Sequence, residues 1–562
     1  MASRYQDSIQ QRFGGGIVTS KPANEIADDE CVDILNKDFD QEDNLKDRLG
    51  NTVFSSALPI AGSESQRVTS LYDYRKVGGT AFLIMTHGNE LRSVTASTAA
   101  SIKGALTLPS DTYWQWVTFN DNAIGVNQAT SGDNPVQWTG TGNATALAGT
   151  PPKGKYIEVW NNRVWIVSAA SPNQLYFSKI GDGADWTHAT AGVLEIGYND
   201  GDNITGIRAH RRSLFVFKRN RIYVITTGVP NTDPNQWKVD LFAGNVGCVS
   251  AFTIQPLLDD LIFLSDAGVV SLAAVQQFGD FRQAIVSQNV NELKDVIKSV
   301  DSFASVVNSE ESQYWLSVPS STSGSANGQT YILDYKCIAQ GKVRWTRFDG
   351  LCAGSTFAQV LVSGRKRVFI GSATNRIYRY GDAGLYNDAG AVYRKAVATK
   401  AYDFGDALLR KEWNHWAVAI TMLACPLALT IRYRFDQDDN LSKIAGVNLT
   451  CDGTTFATNG SGGSTGTGND GVDARWDIAT WDAVDLDDNG IDDNSGQPFV
   501  PYVFGRTGTN DREIYQRFSG DPGRKGQSVQ FFITNNQLNQ AFILKDLKLE
   551  TRPLSRLRVS DR

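Results

Sequence analysis

Two consecutive stretches decide the fold: KYIEVWNNRVWIVSAASPNQLYFSKIGDGADWTHAT at residues 155–190 and VLEIGYNDGDNITGIRAHRRSLFVFKRNRIYVITTG at residues 193–228. Each contains an alternating apolar run, a tight polar turn, a second apolar run, a loop and a third run. Apolar and polar residues that alternate with a period of two, bounded by Asn, Gly, Asp and Ser, are typical of half-buried antiparallel strands. The two stretches therefore predict two copies of one small antiparallel sheet.

Similar stretches recur at intervals of roughly 40 to 50 residues, which is the length of a four-stranded propeller blade. One such sheet cannot bury both of its faces, so the copies are expected to pack side by side around an axis. The sequence therefore predicts an all-β protein with a β-propeller of six or seven blades, in which tryptophans anchor the blade cores. The predicted blades start near Leu71, Trp114, Tyr156, Ile204, Val249, Val300 and Ala353. The predicted core anchors are Trp114, Trp116, Trp138, Trp160, Trp165 and Trp186.

The composition is consistent with this fold and limits the function. The chain has 562 residues, too many for one ordinary core, so two or three domains are expected. The net charge of −6 argues against general binding of nucleic acid, because neutralising phosphates requires clustered Lys and Arg. The six cysteines are scattered without metal-binding spacing, so they are interpreted as buried thiols. No apolar run has membrane length, and we expect a soluble protein without a cleavable export signal.

Changes of pattern divide the chain into three parts. Residues 1–60 are predicted to be a lead-in that can supply the last strand of the propeller ring, and residues 61–382 form the propeller, with one short helix at 288–298. In residues 383–562 longer strands without repeats predict a C-terminal domain like a β-sandwich, which serves as a platform or tip. A loop rich in Gly, Ser, Thr and Asp, at about residues 451–496, is predicted to be an extended insertion.

The insertion contains DLDDNGIDD at residues 485–493, which has the spacing of a calcium-binding loop. Oxygen ligands at alternate positions are what Ca²⁺ requires, and glycine at the sixth position allows the sharp turn. The candidate ligands are Asp485, Asp487, Asn489, Ile491 through its carbonyl group, and Asp493. Position 12 is Gly496, where an EF-hand carries a bidentate Glu, so an acidic solvated turn is the alternative. No cofactor is expected to be required.

Other local motifs are interpreted as structural. Basic clusters at residues 210–212, 218–221 and 365–367 lie at predicted hairpin turns, where they are expected to form salt bridges between subunits or to contact an acidic partner. The turn SKIGDGADW at residues 178–186 is similar to the Asp-box turn of sialidases, which is not an active site. The four histidines lie in different repeats or domains and are predicted to be packing or surface residues. With no P-loop, we expect no enzymatic activity.

Four stretches of the chain resemble one protein family, both in their sequences and in their order along the chain. They are GGGIVTSKPANEIADDECVDILNKDFDQEDNLKDRLG at 14–50, LYFSKIGDGADWT at 175–187, EIGYNDGDNITGIRAHRRSLFVFKRNRIYVI at 195–225 and ATKAYDFGDALLRKEWNHWAVAI at 398–420. Together they resemble the tail nozzle, or tail tubular, proteins of short-tailed, podovirus-like bacteriophages. This resemblance implies a propeller and a platform-like β domain, assembled as a ring, usually a hexamer, below the portal and adaptor.

Two classes of function follow. The resemblance implies a structural protein of the virion tail, assembled in the host cytoplasm, which docks to portal and adaptor proteins and to tail fibres or spikes. Such a ring would guide genomic DNA through its lumen during ejection without specific binding, and a negatively charged lumen is expected because it repels phosphates. The alternative is a glycan-binding or glycan-cleaving propeller, of the receptor-binding or depolymerase kind. That alternative would need an axial cluster of carboxylates with Arg, Tyr or Trp.

Overall fold

The computed structural model divides the chain into two compact units. Asn51–Lys336 and Asp349–Asp382 form one, called the propeller unit here, while Met1–Gly50, Cys337–Phe348 and Ala383–Arg562 form the other, the sandwich unit. The structure describes residues 6–63, 65–133, 135–227, 234, 237–278, 285–296, 303–319, 327–338, 341–406, 408–424, 427–436, 443–449, 456–457, 502–505, 511–517 and 525–556. Among these residues nearly all regular structure is β-strand, which confirms the all-β prediction. No helix in the described ranges has the length and apolarity needed to span a membrane.

The N-terminal segment contributes strands to both units. Its strands are β1 (Gln6–Gln11), β2 (Gly16–Ile17), β3 (Glu30–Leu35), β4 (Lys37–Phe39), β5 (Leu45–Asp47) and β6 (Asn51–Val53). The first five belong to the sandwich unit and β6 belongs to the propeller unit. The sequence region assigned to a lead-in, residues 1–60, is therefore divided between the two units at Gly50. At the other end of the propeller, the units separate between Asp382 and Ala383.

The first four blades of the propeller are four-stranded antiparallel sheets whose strands follow in chain order. Blade 1 contains β7 (Val68–Arg75), β8 (Ala81–His87), β9 (Glu90–Val94) and β10 (Ala99–Ser101). Blade 2 contains β11 (Gln115–Phe119), β12 (Asn122–Val126), β13 (Val136–Trp138) and β14 (Thr145–Ala146). Blade 3 contains β15 (Gly154–Trp160), β16 (Arg163–Ser168), β17 (Gln174–Phe177) and β18 (Gly192–Glu195). Blade 4 contains β19 (Ile204–His210), β20 (Ser213–Lys218), β21 (Ile222–Thr226) and β22 (Lys238–Ala243).

Three further blades bring the number in the described chain to seven, the higher of the two predicted values. Blade 5 contains β23 (Gln255–Leu257), β24 (Asp260–Ser265) and β25 (Gly268–Ser271), which are followed by helices α1 (Leu272–Phe278) and α2 (Glu292–Val296). Blade 6 contains β26 (Ala304–Asn308), β27 (Gln313–Pro319) and β28 (Asn327–Asp334). After β29 (Arg344–Phe348) of the sandwich unit, blade 7 contains β30 (Thr356–Val362), β31 (Arg365–Gly371) and β32 (Ile377–Tyr380). Helix α2 lies within the predicted helix at 288–298, whereas α1 was not predicted.

The fourth strand of blade 7 comes from the N-terminal segment. Strand β6 pairs antiparallel with β32, with Thr52 opposite Arg379. The pairing continues where the Phe54 amide donates to the Ile377 carbonyl at 2.9 Å. The Thr52 hydroxyl adds a hydrogen bond of 2.8 Å to the Asp382 carboxylate. The last blade is thus completed by residues that precede the first blade in sequence.

Aromatic side chains fill the blade cores as predicted. Five of the six predicted anchors are buried, and Trp186 is partly buried against the apolar cluster shared by blades 2 and 3. In blade 3 the fully buried Trp165 packs against Phe177 and Trp237, with ring centroids 5.0 Å and 5.2 Å away. Contacts of this kind stabilise each blade because large rings remove much apolar surface from water.

The sandwich unit consists of two sheets around one core, which confirms the predicted sandwich-like domain. Its remaining strands are β33 (Lys395–Tyr402), β34 (Leu409–Ala424), β35 (Leu427–Phe435), β36 (Lys443–Leu449), β37 (Phe456–Ala457), β38 (Tyr502–Gly505), β39 (Asp511–Arg517), β40 (Lys525–Gly526), β41 (Val529–Asn535) and β42 (Ala541–Arg556). One sheet has the order β38-β39-β34-β42-β5-β4, with β1 also pairing β42 and β40 also pairing β34. The other runs β29-β3-β33-β41-β35-β36-β37, with β2 beside β3. Trp416 of the first sheet packs edge-on against Phe531 of the second at 5.7 Å.

Substituting Thr52→Pro should destabilise the propeller. In an antiparallel ladder every second residue pair is hydrogen-bonded, so the Thr52 amide, two residues before that of Phe54, also donates to β32. Proline at position 52 removes this donor and the hydroxyl contact to Asp382. We expect a loss of about 3 kcal/mol in the free energy of unfolding, measured by denaturant titration. Val53→Thr changes a partly exposed position on the same strand, keeps its amide and should leave stability nearly unchanged. Equal midpoints for T52P and the wild type would contradict a stabilising role for this pairing.

Candidate functional site

The first strands of the propeller blades line an open cavity of about 380 Å³ at the centre of the propeller unit. Its wall is formed mainly by the first strands of blades 1, 2, 4, 5, 6 and 7 and by the residues just before them. Successive side chains of a strand point to opposite faces, so alternate residues of each first strand can reach the axis. The large polar side chains in the wall are Tyr72, Asp73, Gln115, Arg208, Gln255 and Gln359.

Several of these polar side chains also connect neighbouring blades. The Gln115 amide oxygen accepts a hydrogen bond of 3.2 Å from the Ile157 amide of blade 3. The amide nitrogens of two other glutamines donate to backbone carbonyls of blade 6, Gln255 to Ser305 at 3.1 Å and Gln359 to Val307 at 2.9 Å. Each of these contacts satisfies a backbone polar group next to the axis, where an unpaired group would be costly.

Charged groups near the axis occur in pairs. In blade 1, Arg75 donates to Asp73 at 2.7 Å. Arg208 of blade 4 lies 3.3 Å from the carboxylate of Glu158 of blade 3. Burial raises the pKa of Glu158 above its ordinary value, and the nearby Arg208 partly offsets this effect. Among the described residues, the cavity wall therefore has one carboxylate, Asp73, and one guanidinium group, Arg208, and each is paired with an opposite charge.

The cavity brings together the residue types that the glycan alternative requires. Asp73 and Arg208 supply charged hydrogen-bonding groups, while Tyr72, Trp114 and Trp116 supply aromatic rings. Glycoside hydrolysis uses two carboxyl groups, and among the described residues in the wall Asp73 is the one carboxylate. In the part of the chain that the structure describes, no group of three His, Cys, Asp or Glu side chains is arranged to hold a metal ion.

The predicted calcium loop lies outside the described residues. Its candidate ligands are Asp485, Asp487, Asn489, Ile491 and Asp493, and all of them are among the residues not described. The calcium site therefore stays a prediction, which calorimetric titration of the metal-free chain with Ca²⁺ can test.

Three arginines of the basic clusters form salt bridges within the chain, while contacts of these clusters with other subunits stay a prediction. Arg211 and Arg219 of blade 4 each lie 2.6 Å from a carboxylate of blade 5, Asp259 and Asp266 respectively. Arg367 of blade 7 lies 3.0 Å from Glu310 of blade 6. The sequence did not predict these pairs, because the acidic partner of each arginine lies in the next or preceding blade, about 40 to 60 residues away. Such solvent-exposed pairs contribute little to stability, because water and salt screen them.

Lys218 belongs to a predicted basic cluster but is fully buried. Its ammonium group contacts both oxygens of Asp200, at 2.7 and 2.8 Å, and the Asp202 carbonyl at 2.9 Å. Burial opposes ionisation of Asp200, but the hydrogen bond from Lys218 and other donors lower its pKa overall. Sequence reasoning could have found this site, because Lys218 continues the apolar face of Leu214 and Val216 with a period of two.

His87 and the turn at residues 178–186 make contacts within the chain. Burial lowers the pKa of His87 to about 4, and the neutral ring accepts a hydrogen bond of 3.1 Å from Arg92. The turn at residues 178–186 closes on itself, since the Lys179 amide donates to the Asp185 carbonyl at 2.9 Å. At the end of the same turn, the Trp186 ring nitrogen donates to the Gly183 carbonyl at 3.0 Å.

No family model matches the chain, and no curated protein matches it. Among solved structures, an ancestral GH74 enzyme matches with 12% identity and a TM-score of 0.37, over 58% of this chain and 49% of that one. The extracellular domain of a hybrid two-component system from B. thetaiotaomicron matches with 9% identity and a TM-score of 0.39, over 59% and 40%. The Neurospora crassa Pan2 WD40 domain matches with 9% identity and a TM-score of 0.33, over 60% and 95%. The chain spans half or less of the first two structures, and the propeller assignment here follows from its own sheets.

Glu158→Gln should change the pH dependence of stability. The pKa of Glu158 is raised in the folded state, so the folded chain binds this proton more tightly than the unfolded chain. Stability from this group is present below the ordinary pKa of 4.5 and is lost as the pH rises through the folded-state value. Relative to the wild type, E158Q should therefore gain stability as the pH rises above 4.5, as measured by denaturant unfolding. The exposed Glu195→Gln in the same blade is the control, and parallel curves for E158Q and the wild type would refute this prediction.

Lys218→Met should destabilise the propeller strongly. The substitution keeps the apolar stem but leaves Asp200 with only the partly exposed Arg221, 3.4 Å away, as a counter-charge. Breaking a buried pair costs about 3–5 kcal/mol, and Arg221 should offset part of that loss. Thermal unfolding should show a lower midpoint for K218M than for Lys238→Met, which removes an exposed lysine from the same blade. Similar midpoints for the two variants would show that the Asp200 contacts contribute little.

Proposed function

We propose that this chain is a structural protein of a bacteriophage virion, the nozzle ring at the end of the DNA exit channel of a short tail. In this proposal six copies form the ring, which docks to the portal and adaptor proteins and to tail fibres or spikes. The genome passes through the lumen without specific binding, and the protein has no enzymatic activity. The observation that carries the proposal is that the stretches resembling nozzle proteins supply the buried polar framework of both units.

The stretch at residues 14–50 supplies a fully buried ion pair of the sandwich unit. Lys37 lies 2.5 Å from Asp47, and both side chains are fully buried. Burial lowers the pKa of Lys37, while Asp47 opposes that shift. Asp47 also accepts a hydrogen bond of 2.9 Å from the Phe542 amide of β42, so the pair fixes β4 and β5 beside the C-terminal strand.

A second buried pair uses the end of the same stretch. Arg48 donates two hydrogen bonds to Asp388, at 3.0 and 2.7 Å, and its guanidinium group lies 3.8 Å from the centre of the Tyr393 ring. Two parallel bonds of this kind fix orientation as well as distance. The resembling stretch therefore attaches the N-terminal residues to the chain that leads into β33.

The other resembling stretches serve the same purpose. Residues 398–420 form the end of β33 and most of β34, a strand of 16 residues that pairs with β39, β40 and β42. Residues 195–225 contain Asp200 and Lys218, the buried pair of blade 4. Removing one member of a buried pair is strongly destabilising, so these residues constrain the packing of the units. The resemblance thus concerns residues that specify architecture, as expected for a structural family.

Quantitative mass spectrometry of purified virus particles tests this proposal directly. The chain should be present at about six copies per particle, measured against the major capsid protein as an internal standard. Particles washed in high salt provide the control for adsorbed protein, because a ring component is retained. Absence of the chain from washed particles would overturn the proposal.

A further inference from the structure

We propose that the axial cavity of the propeller binds a neutral saccharide of one or two sugar units. This inference goes beyond the nozzle function and does not depend on it. A volume of about 380 Å³ lies within the usual range of small-molecule sites, which combine an apolar or aromatic wall with a few placed polar groups. Three features of the cavity support saccharide binding: its unused hydrogen-bonding groups, its balanced charge and the shape of its wall.

The three glutamines in the wall each keep half of their amide group for a ligand. Gln115 uses its oxygen for the contact with Ile157, and no contact between described residues uses its nitrogen. Gln255 and Gln359 use their nitrogens for contacts with blade 6, and none in the described chain uses their oxygens. The cavity thus offers both donors and acceptors at fixed positions. Sugar hydroxyls both donate and accept, so they match this mixed set.

The charged groups in the wall favour a neutral ligand. Asp73 accepts from Arg75 and from the Leu361 amide through one oxygen, which leaves the other oxygen as an acceptor. Arg208 uses one terminal nitrogen for Glu158, which leaves further N–H groups as donors. Because each charge already faces an opposite charge, a net charge on the ligand would gain little. Hydroxyl groups gain charge-assisted hydrogen bonds from both residues.

Aromatic rings give the wall its shape. Trp114 and Trp116 stack with a centroid distance of 5.3 Å and an interplanar angle of 12°, and both are largely buried in the core. Tyr72 stacks on Trp116 at 6.4 Å and is only partly buried. The Trp116 ring is held in place by a hydrogen bond of 3.0 Å from its nitrogen to the Ser70 hydroxyl. Because Trp114 and Trp116 are only 4% and 7% exposed, Tyr72 is the ring of these three that can contact the apolar C–H face of a sugar, and the two tryptophans hold it in place.

Isothermal titration calorimetry of the full-length protein with maltose, cellobiose and lactose tests the inference. At least one disaccharide should bind saturably, with one site per chain. Gln115→Leu and Gln359→Leu should each weaken its binding by about tenfold, because each removes hydrogen bonds to the ligand. Gln137→Leu in β13 is the matched control, since it makes the same change in blade 2 away from the cavity wall. Thermal unfolding of each variant shows whether it is folded before titration.

Three results would overturn the inference. These are failure of all three disaccharides and their monosaccharides to bind, unchanged affinity in the folded Q115L and Q359L variants, and preferential binding of a blocked neutral dipeptide used as a second probe. The nozzle proposal is tested separately by the content of virus particles. If the chain is present in particles but binds no saccharide, the nozzle proposal stands and the saccharide site is refuted. If the chain binds a saccharide but is absent from particles, the saccharide site stands and the nozzle proposal is refuted.

Discussion

The propeller depends on one short antiparallel pairing, that of β6 with β32. This pairing joins residues more than 320 positions apart in sequence, since Thr52 lies opposite Arg379. Other contacts across the same junction support it, such as the 2.6 Å hydrogen bond from the Ser355 hydroxyl to the Val68 carbonyl. Such non-local contacts form only after a long loop has closed, so they form slowly and make all blades cooperate once formed. Ring closure therefore constrains every blade and also the cavity that the blades enclose.

Polar contacts between blades differ widely in energetic weight. The exposed Arg–Asp pairs at blade edges lie in water, where screening makes their contribution to stability small. The Lys218–Asp200 pair is largely excluded from water, so either partner alone would be a costly buried charge. Apolar cores supply most of the stabilisation in each blade. The buried pairs add directionality, because they are favourable in one arrangement only.

The sequence predicted what local pattern controls. Period-two alternation and repeat spacing placed the start of the fourth blade at Ile204, which is the first residue of β19, and placed the third at Tyr156, two residues into β15. The pairing of β5 with β42 could not be predicted, because these partners lie about 500 residues apart and no local pattern records such a contact. The cavity could not be predicted from the sequence either. Six blades contribute to its wall, and the alternation within one first strand does not indicate which residues of the other blades lie near it.

The residues that carry the family resemblance and those that line the cavity form nearly separate sets. The resembling stretches contain Lys37, Asp47 and Lys218, which are buried and specify packing. Of the large polar residues in the cavity wall, only Arg208 lies within a resembling stretch. A framework can therefore be kept while the cavity wall changes, because substitutions such as those at Gln255 or Gln359 do not touch the buried ion pairs. Function resides in sites placed on a fold, so a structural ring and a ligand-binding axis are compatible in one chain.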